Sequence, residues 1–117
     1  MPSGTDLPDN WPNGMIGWAR GTRAVSELWL FGSRAKGTAR PDSDVDIAIA
    51  LVPAIGSDNW ALRDYLACAK EWRLKLEQIV QRHVSLTAIV PDTPGDKEVR
   101  STGILLWKRA DHPVWPR

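Results

Sequence analysis

The sequence predicts a mixed α/β (α+β) fold, a small mixed β-sheet with helices packed on one face. Two apolar runs of strand length, 25–31 and 44–52, lie on either side of a polar turn. Segment 59–81 follows them, and its apolar residues recur at the three- and four-residue spacing of an amphipathic helix. The next stretch, 83–90, alternates apolar residues with Ser85 and Thr87, which is typical of a strand. Strands on both sides of a long helix indicate this fold class.

The chain of 117 residues has the length of one domain with a single core. We predict a flexible lead-in at 1–13, one domain at 14–109 and a proline-containing, non-helical tail at 110–117. The elements expected within the domain are a short helix at 13–22, a first strand at 25–31, a turn with a short helix at 32–38, a second strand at 44–52, a long helix at 59–81, a third strand at 83–90 and a final helix at 97–109. The apolar face of the long helix is predicted to consist of Leu62, Tyr65, Leu66, Ala69, Trp72, Leu76, Ile79 and Val80.

Composition excludes several classes of protein. A single cysteine, Cys68, permits no intrachain disulfide and fits the reducing cytoplasm. Residues 1–10 lack the apolar core of a signal peptide, and no apolar run approaches the roughly 20 residues of a membrane span. The formal net charge of +1 argues against direct nucleic-acid binding. We therefore expect a cytoplasmic protein without membrane contact.

Asp44 and Asp46 lead an otherwise apolar strand, and residues two apart in a strand point to the same face. Two neighbouring carboxylates repel each other unless a cation lies between them. Carboxylate oxygens suit Mg²⁺, which proteins usually share with the phosphates of a substrate. The pair is therefore a candidate metal site. The alternative is a solvated strand face, which the depletion of Asp in strands disfavours.

The first strand ends at Gly32-Ser33, where a short helix is expected to begin. A helix N-terminus presents unpaired N–H groups and a positive dipole end, which attract phosphate. Gly32 permits a close approach to the backbone, and Ser33 offers a hydroxyl donor. Arg34 and Lys36 are candidates for stabilising phosphate charge, or else belong to a solvated turn. The acid pair and the Gly32-Ser33 junction together predict a site for a metal and a nucleoside triphosphate.

The order Gly32-Ser33, ten residues, then Asp44-Val45-Asp46 resembles the signature of the DNA polymerase beta-like nucleotidyltransferase superfamily. The short chain resembles the minimal nucleotidyltransferases (MNT) of that superfamily. Segment 102–109 weakly resembles the helix that closes the family's domain. This resemblance implies the polymerase beta-like palm fold, with the acids on the open face of the sheet.

The resemblance also implies an activity and its residues. The chain would transfer a nucleoside monophosphate, AMP from ATP, to an acceptor hydroxyl in a reaction dependent on Mg²⁺ (or Mn²⁺). Asp44 and Asp46 would be the catalytic metal ligands, and the nucleotide would bind Gly32, Ser33, Arg34 and Lys36. Minimal members commonly pair with a small helical HEPN-type protein as toxin and antitoxin, and can adenylylate it. A homo-oligomer also remains open.

One position departs from the family pattern. These enzymes generally carry a third carboxylate on the strand after the long helix, and the matching residue here is Ser85. Either one metal is held more weakly, another acid such as Asp42 or Asp92 substitutes, or the chemistry is impaired. The alternative function is therefore an antitoxin-like module that binds nucleotide and neutralises a HEPN-type partner by contact alone. Single-strand nucleic-acid binding through exposed tryptophans is a third, weaker hypothesis. His83 lies next to the third strand and is interpreted either as a general base or as a strand-edge residue.

Overall fold

The computed structural model describes residues 10–37, 43–54 and 56–109. Within these ranges the elements are α1 (Trp11–Gly21), β1 (Val25–Phe31), α2 (Ser33–Lys36), β2 (Val45–Leu51), α3 (Trp60–Val80), β3 (Val84–Ile89), α4 (Pro94–Thr102) and β4 (Ile104–Lys108). The strands form one sheet in the order β3-β2-β1-β4. β1 pairs antiparallel with β2 and β4, whereas β2 and β3 are parallel. The predicted mixed sheet with helices is confirmed.

The first three strands and the long helix begin and end within one or two residues of their predicted bounds. The Asn59 side chain accepts the Leu62 N–H at 3.4 Å and so caps the start of α3. α1 begins at Trp11 with a proline in its first turn, so it includes the end of the predicted lead-in. Residues 1–9 and the predicted tail lie outside the described residues.

Each face of the sheet has its own core. On one face, α1 and α3 cover the apolar side chains of β1, β2 and β3, in a cluster that contains Met15, Ala19, Leu28, Leu30, Val45, Ile47, Ile49, Leu76, Val80 and Val84. On the other face, α4 contributes Val99 to a smaller cluster with Trp29, Ala48, Ala50 and Ile89. Asp46 shares this second face, because it alternates with the buried Val45 and Ile47 along β2.

The predicted final helix at 97–109 is wrong in its second half. α4 stops at Thr102, and residues 104–108 form an edge strand that pairs with β1. Gly103 makes the change possible, because a Cβ there would lie 2.6 Å from the Val99 carbonyl oxygen and 3.0 Å from that of Leu30. The resemblance of 102–109 to a closing helix is therefore corrected to a strand.

The predicted apolar face of α3 is also wrong at two positions. Leu62 and Leu66 are 39% and 71% exposed. The face that packs is centred on Ala61, Tyr65 and Trp72, whose ring meets that of Trp18 edge-on at 6.0 Å. Successive residues are rotated by about 100° around a helix. Leu62 and Leu66 directly follow Ala61 and Tyr65, so they point away from the buried face by that angle. No helix in the described residues has the length and apolar character needed to cross a membrane.

Candidate active site

Asp46 lies directly against the backbone at the end of β1. It is the register partner of Phe31, the last residue of that strand. A Cβ built on Gly32 would lie 3.0 Å from the Asp46 carboxyl carbon, and the oxygen Oδ2 is closer still. The structure thus places the acid beside the Gly32-Ser33 junction, where α2 begins.

The Gly32 backbone has φ 75° and ψ −155°, a conformation found essentially only in glycine. Two independent constraints therefore act at this residue, the backbone angles and the neighbouring carboxylate. Any side chain here would displace Asp46 or rearrange the junction.

Asp44 immediately precedes β2 and its carboxylate lies close enough to Asp46 to influence it. Partial burial raises the pKa of Asp46, the Asp44 charge raises this pKa further, and the Arg34 guanidinium opposes both. The protein therefore holds two acids together at an electrostatic cost that a bound cation would relieve. The two carboxylates, next to a Gly32 backbone that carries no side chain, fit a single divalent cation.

Among the described residues, Asp44 and Asp46 are the acids that would supply protein ligands to this cation. In the part of the chain that the structure describes, no three side chains of His, Cys, Asp or Glu are grouped so that they could hold a metal ion. Mg²⁺ typically uses one or two carboxylates and completes its shell with phosphate oxygens and water. Two acids are consistent with that pattern.

Arg34 is buried beneath the segment that enters β2. Its Nη2 donates to the Ser43 carbonyl at 2.6 Å and its Nε to the Asp44 carbonyl at 3.3 Å. These contacts fasten the backbone of the first acid, which favours a positioning role over the direct phosphate contact expected from the sequence. Lys36, by contrast, is exposed in the last turn of α2.

Ser85 is the register partner of Asp46 across the parallel pair of β2 and β3, and its side chain is exposed. It therefore occupies the position expected for a third acid without supplying one. Asp92 lies in the turn before α4 and does not join the two acids in a metal-binding group. Asp42 lies outside the described residues.

An open cleft of about 320 Å³ adjoins the site on the same face of the sheet. Phe31, Ser85 and Thr87 line its sheet side, and Thr93 and Glu98 belong to the segment that forms its other side. A substrate group in this cleft would approach Asp46 from the side where the family places its third carboxylate.

Two residues near the acids were missed or left undecided by the sequence. His83 Nδ1 lies 3.3 Å from Asp44 Oδ2, and His83 Nε2 lies 3.7 Å from Glu77 Oε2. The Val84 N–H donates to Glu77 at 3.0 Å and, with smaller effects from Arg73 and His83, lowers the pKa of this carboxyl. The contacts of Glu77 with His83 and Val84 carried no local signal, because both residues follow the helix and meet it only in the folded domain.

Comparison with known proteins identifies a matching family model and structures of similar fold. Residues 15–112 match the family model for Polymerase beta, Nucleotidyltransferase. No curated protein matched the sequence. Among solved structures, a toxin–antitoxin complex with AMP-PNP is similar with a TM-score of 0.62 and 26% identity, over 83% of this chain and 73% of that one.

Two further structures show the same fold at lower identity. One is a complex of a tri-AMPylated HEPN toxin from Shewanella oneidensis with an MNT antitoxin, with a TM-score of 0.55 and 23% identity over 84% of this chain and 70% of that one. The other is the toxin–antitoxin pair MntA-HepT, with a TM-score of 0.58 and 21% identity over 86% and 73% of the two chains.

Proposed function

Because the chain belongs to the Polymerase beta nucleotidyltransferase family, we propose that it transfers AMP from ATP to a hydroxyl group of a partner protein. The observation that carries this proposal is the Asp46 carboxylate seated against Gly32, with Asp44 beside it. The structural likeness to a toxin–antitoxin complex with AMP-PNP, an ATP analogue whose β- and γ-phosphates are joined through nitrogen, supports ATP as the donor.

In the proposed reaction the acceptor oxygen attacks the α-phosphorus of ATP. The bond between this phosphorus and the oxygen bridging to the β-phosphate breaks, pyrophosphate leaves, and the hydroxyl proton passes to solvent. Gly32 and Ser33 would bind the β- and γ-phosphates, and Lys36 would add positive charge nearby. Positioning and charge stabilisation supply most of the catalysis in such transfers.

Asp44 and Asp46 would hold Mg²⁺ or Mn²⁺, which when bound supplies charge neutralisation and orients the phosphates. Arg34 keeps the first acid in place through the backbone of residues 43 and 44. The adjoining cleft would give the acceptor hydroxyl a route to the α-phosphorus beside Ser85.

The proposed partner is a small helical HEPN-type protein in a toxin–antitoxin pair, in which this chain is the antitoxin. The sequence signature and the similarity to a toxin–antitoxin complex both support this setting. The cytoplasmic location expected from the single cysteine is part of the same proposal.

Ser85 favours one second candidate, a binding module with impaired transfer. A serine adds no negative charge beside Asp46, so a second divalent cation would be held weakly or not at all. In that case the chain would neutralise its partner by contact alone.

The two candidates are separated by incubating the protein with α-³²P-labelled ATP, Mg²⁺ or Mn²⁺, and the partner encoded beside it. Label on the partner that is lost in Asp44→Asn and Asp46→Asn supports transfer. Asp58→Asn is the matched control, since this exposed acid pairs only with Arg63 among the contacts described, and it should label normally. Ser85→Asp should increase labelling if the missing charge limits the rate.

A partner that binds tightly but stays unlabelled with every variant would establish the binding module. Label that survives both Asp44→Asn and Asp46→Asn would refute this site as the centre of the reaction.

A further inference from the structure

His83 is tied to the first acid through both its side chain and its backbone. The imidazole Nδ1 lies 3.3 Å from Asp44 Oδ2. The His83 carbonyl accepts the Val45 N–H at 2.9 Å, one residue further along the chain. His83, which immediately precedes β3, therefore contacts the start of β2 at two points.

His83 is itself held by the last turn of α3. Glu77 Oε2 accepts the Val84 N–H at 3.0 Å, pairs with Arg73 Nη1 at 2.8 Å and lies 3.7 Å from His83 Nε2. Glu77 is only 21% exposed, whereas the His83 and Asp44 side chains are 63% and 52% exposed. The anchored Glu77 carboxylate thus orients the exposed His83 imidazole toward the exposed Asp44 carboxylate.

We infer that His83 is a positioning residue that holds Asp44 in the orientation in which it binds the divalent cation. Contact with Nδ1 engages Oδ2 and leaves the other carboxylate oxygen available as a ligand. Partners of this kind behind metal-binding carboxylates fix their orientation, and their loss typically weakens metal binding by 10- to 100-fold. This inference rests on the metal site of the proposed function.

An isolated surface ion pair offers the competing explanation, since such pairs usually contribute little to stability. The two explanations differ in a measurable way. A surface pair would leave metal affinity unchanged when it is removed, whereas a positioning contact would not.

The test is Mn²⁺ binding to the full chain, followed by the loss of the electron paramagnetic resonance signal of free Mn²⁺, with and without AMP-PNP. We expect His83→Ala to raise the Mn²⁺ dissociation constant by about 10-fold or more while the fold persists by circular dichroism. His83→Asn, whose amide nitrogen can replace Nδ1 as a donor to Asp44, should restore most of the affinity. His83→Gln, which places its amide one bond further out, should restore less.

Each outcome distinguishes the inference from the function on which it rests. Wild type that binds Mn²⁺ no better than Asp44→Asn would remove the metal site, and with it both proposals. Wild type that binds, with His83→Ala unchanged, would overturn the inference alone. Loss of affinity that His83→Asn fails to restore would likewise overturn it, because the defect would then be structural.

Discussion

Gly32 cannot carry a side chain for two separate reasons, namely its backbone angles and its contact with the Asp46 carboxylate. Gly32→Ala should lower the free energy of unfolding by about 1–3 kcal/mol, the usual cost of a residue forced into a region that favours glycine. The methyl group would also occupy the space of the Asp46 carboxylate, so Mn²⁺ binding should be lost. Denaturant unfolding and Mn²⁺ titration measure the two effects.

Gly37 is the matched control for this substitution. It has φ 76° and ψ 17°, but a Cβ there would meet nothing within 4 Å. Gly37→Ala should therefore cost about 1–2 kcal/mol of stability and keep Mn²⁺ binding. Equal loss of binding in both variants would show that backbone strain, and not the clash with Asp46, damages the site.

Arg34 provides a second prediction at this scale. Arg34→Met should lower the free energy of unfolding by about 1–3 kcal/mol, because the carbonyls of residues 43 and 44 lose a buried charged donor. The pKa of Asp46 should rise further, since the guanidinium now lowers it. Carboxyl chemical shifts followed against pH would detect this change, and Arg63→Met, at an exposed arginine, should change neither quantity appreciably.

At the scale of elements, Arg109 fixes the end of the edge strand β4 onto the rest of the domain. Its guanidinium donates to the carbonyls of Ala19, Thr22 and Val25 at 2.9–3.2 Å. Arg109→Ala should lower the free energy of unfolding by about 1–3 kcal/mol in denaturant. The neighbouring Lys108 is exposed, so Lys108→Ala should stay within about 0.5 kcal/mol of wild type. A loss as large in Lys108→Ala would contradict the anchoring role.

α4 is linked to β1 by a charged network centred on Arg100. The guanidinium contacts Asp96 at 2.7 Å and Glu27 at 3.0 Å, above the ring of Trp29. The hydrogen bond from Arg100, followed by that from the Asp92 N–H, lowers the pKa of Asp96. Asp96 therefore stabilises the fold at every pH above its unfolded value near 3.8, and this contribution disappears as the pH falls through the lower folded value.

Asp96→Asn should accordingly melt at a lower temperature than wild type at neutral pH. The difference between the two proteins should remain constant down to about pH 4 and shrink below it. Thermal melts over a pH series check this, with Asp58→Asn as the exposed control. A difference that does not depend on pH would show that the charge of Asp96 is irrelevant.

The elements that the sequence predicted well are those whose signal is local. Alternation along β3 and the repeat along α3 indicated their type, and a glycine at the end of β1 marked the junction. The helix predicted for segment 104–108 was wrong because a short apolar run does not distinguish helix from strand. Its pairing with β1 is non-local, and Gly103 was the signal for the break. The roles of Arg34 and Glu77 were hidden for the same reason, since each holds backbone groups that lie seven to ten residues away in the sequence.

At the scale of the whole molecule, one face of the sheet forms the main core and the other carries the candidate site. α1 and α3 bury one face in the main core, and the other face carries Asp46, Ser85 and the adjoining cleft. The sequence predicted this division, but it did not predict that α4 would cover part of the second face through Val99. The cleft exists because α4 stands on that face beside the acids.

β2 lies between β1 and β3, with hydrogen-bonded partners along both edges. Its amide hydrogens can reach solvent only when a neighbouring strand detaches, so the backbone that carries Asp46 should be among the last to exchange with deuterium. The outer strand β4, with one partner, can open without disturbing it. Fluctuations of β4 thereby leave the backbone that carries Asp46 in place.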